Sequence, residues 1–554
     1  MILGILLVSI TSAAGSPELD SLATEILEEI WSFHPIAATN LGVHKHDTNM
    51  PDYSNKTLKW KLSRFKQLQS ELSALDTLVL SVEERVDYHL LRASLHDEIF
   101  DLETANIYAN DPLLYSQSCV VSIHAIMIRY AESIQRKMAA VTARLNQMPL
   151  FLETARQNLK KPSYILCDAA INQLTEGERF IEDMFEYYKD SLSQESRLKF
   201  RQAKTKAVAS MMVFTYWLEK NQAQDGMFAL GEDNYNYKLH NIHLVDITAD
   251  SILKIGTYYL DWTATMIDNL SDMLELSRQE MVTLPSDFGP QSVVQYREME
   301  LSDLREFVAG SELVTVPEWI GEIELVETPS FLLGLIPGVA MMPPGPFDRS
   351  RKSYFYTPPL PRRFELEDAE YFYNYIYNRW FRGSAVHEAY PGHHLQLSIA
   401  NSHPSSIRRG FRTFFFVEGW ALYCEEMMAR SGLYEDTIGA LINALEGVRY
   451  RAARIIVDVK LQTGAFSYGD ALRFMVDTFG GSEAYYAREI KRYISNPIQP
   501  SSYLVGKLQI QDLLEEYREL RGNNFDLKKF HDELLGHGSI PLKLAKMLML
   551  SGPD

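Results

Sequence analysis

The chain has 554 residues, 46% of them apolar and 11% aromatic, enough to bury a large core and too many for an intrinsically disordered protein. A formal charge of -19 at pH 7, with the acids spread along the chain, argues against nucleic acid or an anionic membrane as the main partner. Past the N-terminus no segment reaches the ~18 apolar residues that span a bilayer, so no stable membrane insertion is expected.

Residues 1–16, MILGILLVSITSAAGS, form an apolar run followed by small residues. This is the shape of a secretory signal peptide without its usual basic start, and a buried first helix is the alternative. The mature chain is expected to begin near Gly15 to Pro17, secreted or lumenal. Cys119, Cys167 and Cys424 are too few for a disulfide scaffold and too scattered for a thiolate metal site, leaving room for one bridge and a spare thiol. Asn55-Lys56-Thr57 and Asn269-Leu270-Ser271 are glycosylation sequons that matter if the chain is secreted.

From 17 to 310, stretches such as SLATEILEEIWSF and LKFRQAKTKAVASMMVFTYWLEK repeat apolar residues at three and four positions. They predict an N-terminal array of amphipathic helices without a fixed-period repeat. From Leu313 to Pro361 prolines, β-branched residues and aromatics predict short strands and loops. This insert is either an edge strand against which an extended peptide pairs or an interlobe linker. Helical periodicity returns at Glu367, with breaks expected at His403-Pro404, Ser431-Gly432, Thr463-Gly464, Gly480-Gly481 and Asn496-Pro497. The fold class is therefore mainly α with a small β/loop insert, and 311–554 carries the chemistry.

The informative segment is SAVHEAYPGHHLQLSIA, residues 384–400. A histidine beside a glutamate on a helix opens many zinc peptidase sites: the imidazole binds the ion and the carboxylate takes a proton from water. His387 and Glu388 fit those roles. The usual second ligand one turn on is absent, because position 391 is proline. Proline inside a helix removes a donor and clashes with the preceding turn, and the glycine after it adopts unusual angles, so the helix must bulge or break at Pro391-Gly392. On an unbroken helix His393 and His394 would lie roughly 9 and 10.5 Å along the axis from His387, too far for two ligands of one zinc. With two residues looped out, His393 takes the position. A third ligand is expected from FFFVEGWALYCEEMMAR, where Glu418 follows an aromatic wall and Glu425 or Glu426 would orient a ligand. Each residue alone reads as a satisfied core histidine or a buried ion pair; the arrangement as a whole reads as a metal site.

These residues resemble the family catalogued as domain of unknown function 885, grouped with zinc peptidases whose third ligand is glutamate. The signature H-E-x-x-P-G-H followed by His or Tyr stands at His387 to His394, and E-G-W-A-L-Y stands at Glu418 to Tyr423. ARIIVDV, 453–459, resembles the family's arginine and aspartate helix, and RYISNPIQPSSYLVGK, 492–507, resembles its closing R-Y, P-x-Q and S-Y-x-x-G elements. Tolerance of tyrosine at the position of His394 favours His393 as the ligand. The resemblance implies a two-lobed helical fold with a deep channel, similar to thimet oligopeptidase and the thermostable metallocarboxypeptidases. It makes Tyr503 a donor to the oxyanion, with Arg492 as the other candidate.

The sequence departs from the family where D-T-G-x-H is expected: Lys460 stands in that stretch and Gln462 replaces the histidine, losing a group that can carry a proton charge. Pro500 replaces a small residue but suits a helix start. The expectation is a peptidase with one Zn²⁺ per chain on His387, His393 and Glu418, in which Glu388 takes a proton from water and returns it to the leaving amine of a short peptide. A catalytically silent zinc-binding homologue serving as receptor or scaffold and a hydrolase of non-peptide amides or esters are the rivals. A serine hydrolase is disfavoured by the lack of a G-x-S-x-G elbow.

Overall fold

The computed structural model describes residues 16–129, 133–223, 228–275, 290–329, 332–333, 338–359 and 381–550. The leader read at 1–16 lies outside these residues except for Ser16, whose hydroxyl caps the first helix, Pro17–Phe33, by accepting the Leu19 N–H.

The apolar spacing of the first half becomes long helices, among them Asn55–Ser73, Val82–Glu103, Pro112–Arg129, Ile134–Asn158, Tyr164–Tyr188, Gln194–Asn221 and Ala249–Glu275. Local chemistry sets their starts. Ser81 and Glu84 form a reciprocal capping box, and Ser54, Ser133 and Ser193 accept the backbone N–H three residues on. Helix Pro112–Arg129 is buried on nearly every side. Its hydroxyls avoid an unpaired burial by bonding back into the chain, as Ser122 does to the Cys119 carbonyl.

The insert expected at 313–361 holds a three-stranded sheet of order β1-β3-β2, formed by β1 (Ile323–Glu327), β2 (Ala340–Met342) and β3 (Ser353–Thr357). The central strand runs parallel to β1, with Ile323 opposite Ser353, and antiparallel to β2, with Met341 opposite Phe355. Phe355 is fully buried. The chain is thus mainly helical with a small sheet, as the periodicity predicted.

The return of helix expected at Glu367 lies, up to 380, outside the described residues, and every expected break after 381 occurs: helices run Arg382–Glu388, His393–Ala400, Ser406–Gly410, Phe414–Ala429, Thr437–Gln462, Tyr468–Phe479, Glu483–Ser495 and Gln499–Arg521. Pro500 sits in the first turn of the last of these. One apolar cluster joins Leu19, Ile123 and Phe151 of the first half to Trp420 and Phe530 of the second, and each such buried side chain contributes about 1.5–3 kcal/mol. All three cysteines are free and buried, so the one bridge the composition allowed does not form. Among the described residues no helix is long and apolar enough to cross a membrane. Asn55 and Asn269 are exposed on helices.

Candidate functional site

The cluster begins at the interrupted helix. Arg382–Glu388 ends where Pro391 would otherwise fall in its next turn. The chain then folds back so tightly that a Cβ on Gly392 would lie 1.8 Å from the His387 carbonyl oxygen, and the Gly392 N–H donates to the Val386 carbonyl at 3.1 Å. Only glycine fits that approach. Trp420 fixes the bend from outside, its indole N–H donating to the Pro391 carbonyl at 2.9 Å. A new helix starts at His393, and the rings of His387 and His393 meet 4.7 Å apart and nearly perpendicular, at 86°.

Glu418, on helix Phe414–Ala429, brings its Oε2 to 3.3 Å from His393 Nε2 and 3.6 Å from His387 Nε2. Two helical turns along the same face, Glu425 Oε1 lies 2.7 Å from His387 Nδ1 and 3.5 Å from the Arg451 guanidinium. Glu388 borders the same imidazoles: one oxygen of its carboxylate and one ring nitrogen of each histidine lie within 4.8 Å of one another. Its Oε2 accepts the Met341 N–H from the outer edge of β2 at 2.7 Å. Sequence positions 387, 388, 393 and 418 are therefore brought together. Of the two carboxylates proposed as orienters, Glu425 holds His387, whereas Glu426 pairs with Lys507 and Arg430. His394 turns away to Ser353 of β3, 2.7 Å from its Nδ1, and burial pushes it down to about 4.

The helix Gln499–Arg521 delivers Tyr503 by crossing Phe414–Ala429 backbone to backbone. A Cβ on Gly506 would meet the Phe415 carbonyl oxygen at 1.8 Å and one on Gly419 the Gly506 carbonyl carbon at 2.5 Å. Tyr503 packs its ring 6.3 Å from that of His387, tilted by 19°. Its hydroxyl accepts from Gln499 Nε2 at 3.0 Å, and the same amide reaches Glu418 Oε1 at 3.4 Å. Arg492, the other oxyanion candidate, is held instead by Glu489, with Nη2 2.9 Å from the carboxylate, and by Gln499. Gln462 does not stand in for a histidine at the cluster: its Oε1 accepts the Leu230 N–H at 3.3 Å, and Lys460 stacks 4.6 Å from the Phe466 ring centre.

The four groups are electrostatically coupled. Burial alone would lower His387, but contacts with Glu418 and Glu425 and the charge of Glu388 overcome it and hold the imidazole up to about 9. Burial raises Glu418, yet the two imidazoles bring it well below the usual carboxylate range. Glu388 is raised, chiefly by burial and also by the charge of Glu418. Glu418 Oε2 is buried and makes no well-aligned hydrogen bond among the described residues, its near contacts being the two imidazoles at 3.3 and 3.6 Å. Ligands at about 2.1 Å in a tetrahedral site stand about 3.4 Å apart. The 3.3 and 3.6 Å separations match that spacing, so nitrogen, nitrogen and carboxylate oxygen suit Zn²⁺.

Sequence reasoning gave no role to Gln499, although it lies within the closing motif, nor to Asp458, Arg454 or the Met341 N–H. The glutamine of the closing P-x-Q element was the one available signal for Gln499.

The fold has solved counterparts. A candidate lipoprotein of unknown function from Shewanella oneidensis is similar over 97% of this chain and 100% of its own, with a TM-score of 0.78 and 23% identity. A candidate lipoprotein from Colwellia psychrerythraea is similar over 96% of this chain and 97% of its own, with a TM-score of 0.78 and 19% identity. No curated protein matches the chain. The model of the family described as bacterial protein of unknown function (DUF885) matches residues 35–549, and the chain belongs to that family.

Proposed function

We propose that this protein is a zinc-dependent hydrolase of short peptides. The observation that carries the reading is the convergence of His387 Nε2, His393 Nε2 and the buried Glu418 Oε2 beside a second carboxylate, Glu388. The resemblance of the two motifs to peptidases of the thimet oligopeptidase and thermostable metallocarboxypeptidase kind supports it, and a two-lobed body around a deep channel belongs to the same reading.

His387, His393 and Glu418 would hold the ion, and Zn²⁺ supplies Lewis-acid polarisation of a carbonyl and a more acidic water. Glu425 fixes the His387 ring by accepting from its Nδ1, so that Nε2 faces the cluster. Glu388 is the proton carrier. Met341 holds its Oε2, leaving Oε1 to take a proton from water and return it to the departing amine. Tyr503, whose oxygen already accepts from Gln499, keeps its own O–H to donate to the developing oxyanion. The β2 edge beside Glu388 offers backbone groups to an extended peptide.

Lys460 and Gln462 have their partners away from the cluster, which favours a working hydrolase over a silent homologue. The leader-like N-terminus, together with similar chains described as candidate lipoproteins, supports a location outside the cytoplasm.

Elemental analysis of wild type beside His393→Ala and His394→Ala, each also run on a fluorogenic peptide library, tests the reading. Wild type is expected to hold about one zinc per chain and to cleave peptides, with the metal lost from His393→Ala and kept in His394→Ala. A wild type that binds no zinc under retaining conditions overturns the proposal. Zinc without cleavage of any peptide replaces it with a metal-binding scaffold.

A further inference from the structure

Beside the cluster, two guanidinium groups share the Oε1 of Gln499. Arg492 donates to both oxygens of Glu489, Nε at 3.3 Å and Nη2 at 2.9 Å, and through Nη1 to Gln499 Oε1 at 3.0 Å. Arg454, on helix Thr437–Gln462, is only 5% exposed, and among the described residues no carboxylate lies within ion-pair distance of it. Among the described residues its one hydrogen bond runs from Nη2 to Gln499 Oε1 at 3.4 Å, and its buried Nε has no partner there. The cation rests on two rings instead, 4.2 Å from the centre of Tyr503 and 5.2 Å from that of Tyr493. Ring contacts offset only part of the cost of taking a cation out of water. Arg451, the other nearby guanidinium, is occupied by Glu425. Arg454 therefore keeps guanidinium donors without a partner, while Glu489 and Asp458 act on it only through longer-range charge.

Its place relative to the reacting groups is fixed by a single side chain. Gln499 accepts from both arginines through Oε1 and reaches Tyr503 and Glu418 through Nε2. The ring that carries Arg454 packs 6.3 Å from His387. An extended chain rises roughly 3.3 Å per residue, so a carboxylate a few residues from a carbonyl held at the cluster reaches Arg454. Guanidinium groups with free donors match that ligand in charge and shape.

We propose that Arg454, with Gln499 and Arg492, is the subsite for a free C-terminal carboxylate, so that the substrates are short peptides cut within about three residues of their C-terminus. This rests on the hydrolase reading above. An inorganic monoanion such as chloride offers the same charge without the chain.

The test uses one library of acetylated pentapeptides made twice, as free acids and as C-terminal amides, on full-length zinc-loaded protein. Wild type is expected to prefer the acids at least ~10-fold in kcat/KM, the range of a hydrogen bond to a charged group, mainly through KM. Arg454→Gln should bring that ratio close to one, and Arg454→Lys should keep an intermediate preference. In parallel, the acid pool but not the amide pool should raise the Tm of wild type and not that of Arg454→Gln. Equal cleavage of acids and amides by wild type overturns the proposal while leaving the hydrolase reading intact, and needs no variant to fold. An Arg454-dependent rise in Tm with chloride, against gluconate at equal ionic strength and with no acid preference, also overturns it. If neither pool is cleaved yet the acids still raise Tm through Arg454, the carboxylate site stands and the hydrolase reading fails.

Discussion

The chain bends sharply on either side of the cluster, and the two bends are built in opposite ways. At 389–392 the bend is written into local residue types: Pro391 cannot continue the helix, and Gly392 alone fits against the His387 carbonyl. At Ile498, just before helix Gln499–Arg521, a β-branched residue adopts a φ of +75°, a conformation that costs about 1–2 kcal/mol. Nothing local favours it. It is imposed from 40 residues away by Asp458, whose Oδ1 accepts the Ile498 N–H at 3.2 Å while Oδ2 accepts from Ser501 at 2.6 Å and Tyr235 at 2.8 Å. One bend is dictated by its own residues and the other by its surroundings, yet both place a side chain on the same cluster.

The largest way to break the first bend is Gly392→Ala. The overlap with the His387 carbonyl is too severe for side chains to absorb, so a loss of more than about 4 kcal/mol is expected in urea denaturation; a loss under about 1 kcal/mol would mean that the turn relaxes freely.

The second bend answers to pH. Burial pushes Asp458 from the ordinary 3.8 up to about 6, against the hydrogen bonds from Ser501, Tyr235 and Ile498 that lower it. Its contribution is fully present below 3.8 and is lost as pH rises through about 6, a change of about 3 kcal/mol. Asp458→Asn does not titrate. The stability of wild type relative to this variant should therefore fall by about that amount between pH 4 and 7, and a pH-independent difference would show that Asp458 is not desolvated.

The smallest effect sharpens the first bend. Trp420→Phe keeps the packing but leaves the Pro391 carbonyl without its donor, expected to cost about 1–2 kcal/mol in the same denaturation experiment. No change would assign the bend to Pro391 and Gly392 alone.

This contrast also explains what could be read in advance. Helices with apolar residues at three and four positions, the strand-rich insert and the breaks at Pro and Gly follow from neighbours in sequence, and all appear in the fold. His387, Glu388, His393 and Glu418 were legible because their types and spacing are unusual for a core. Gln499, Arg454 and Asp458 fell within the quoted motifs, but their roles were not legible, since a polar residue in a helical pattern looks the same whether it faces solvent or a buried cluster. Ile498 gave no sign of its backbone at all. The choice between Glu425 and Glu426 turned on helix rotation of about 100° per residue, finer than periodicity over a short segment resolves.

The contact between Gly419 and Gly506 has one more consequence. Because the two helices touch through main-chain atoms, the separation of Glu418 from Tyr503 works like a machinist's gauge block, a spacing defined by parts that cannot be compressed. Side chains around the crossing can be exchanged without resetting it. The side chains that line the cluster are thereby free to vary while the distance between the carboxylate and the phenol stays constant.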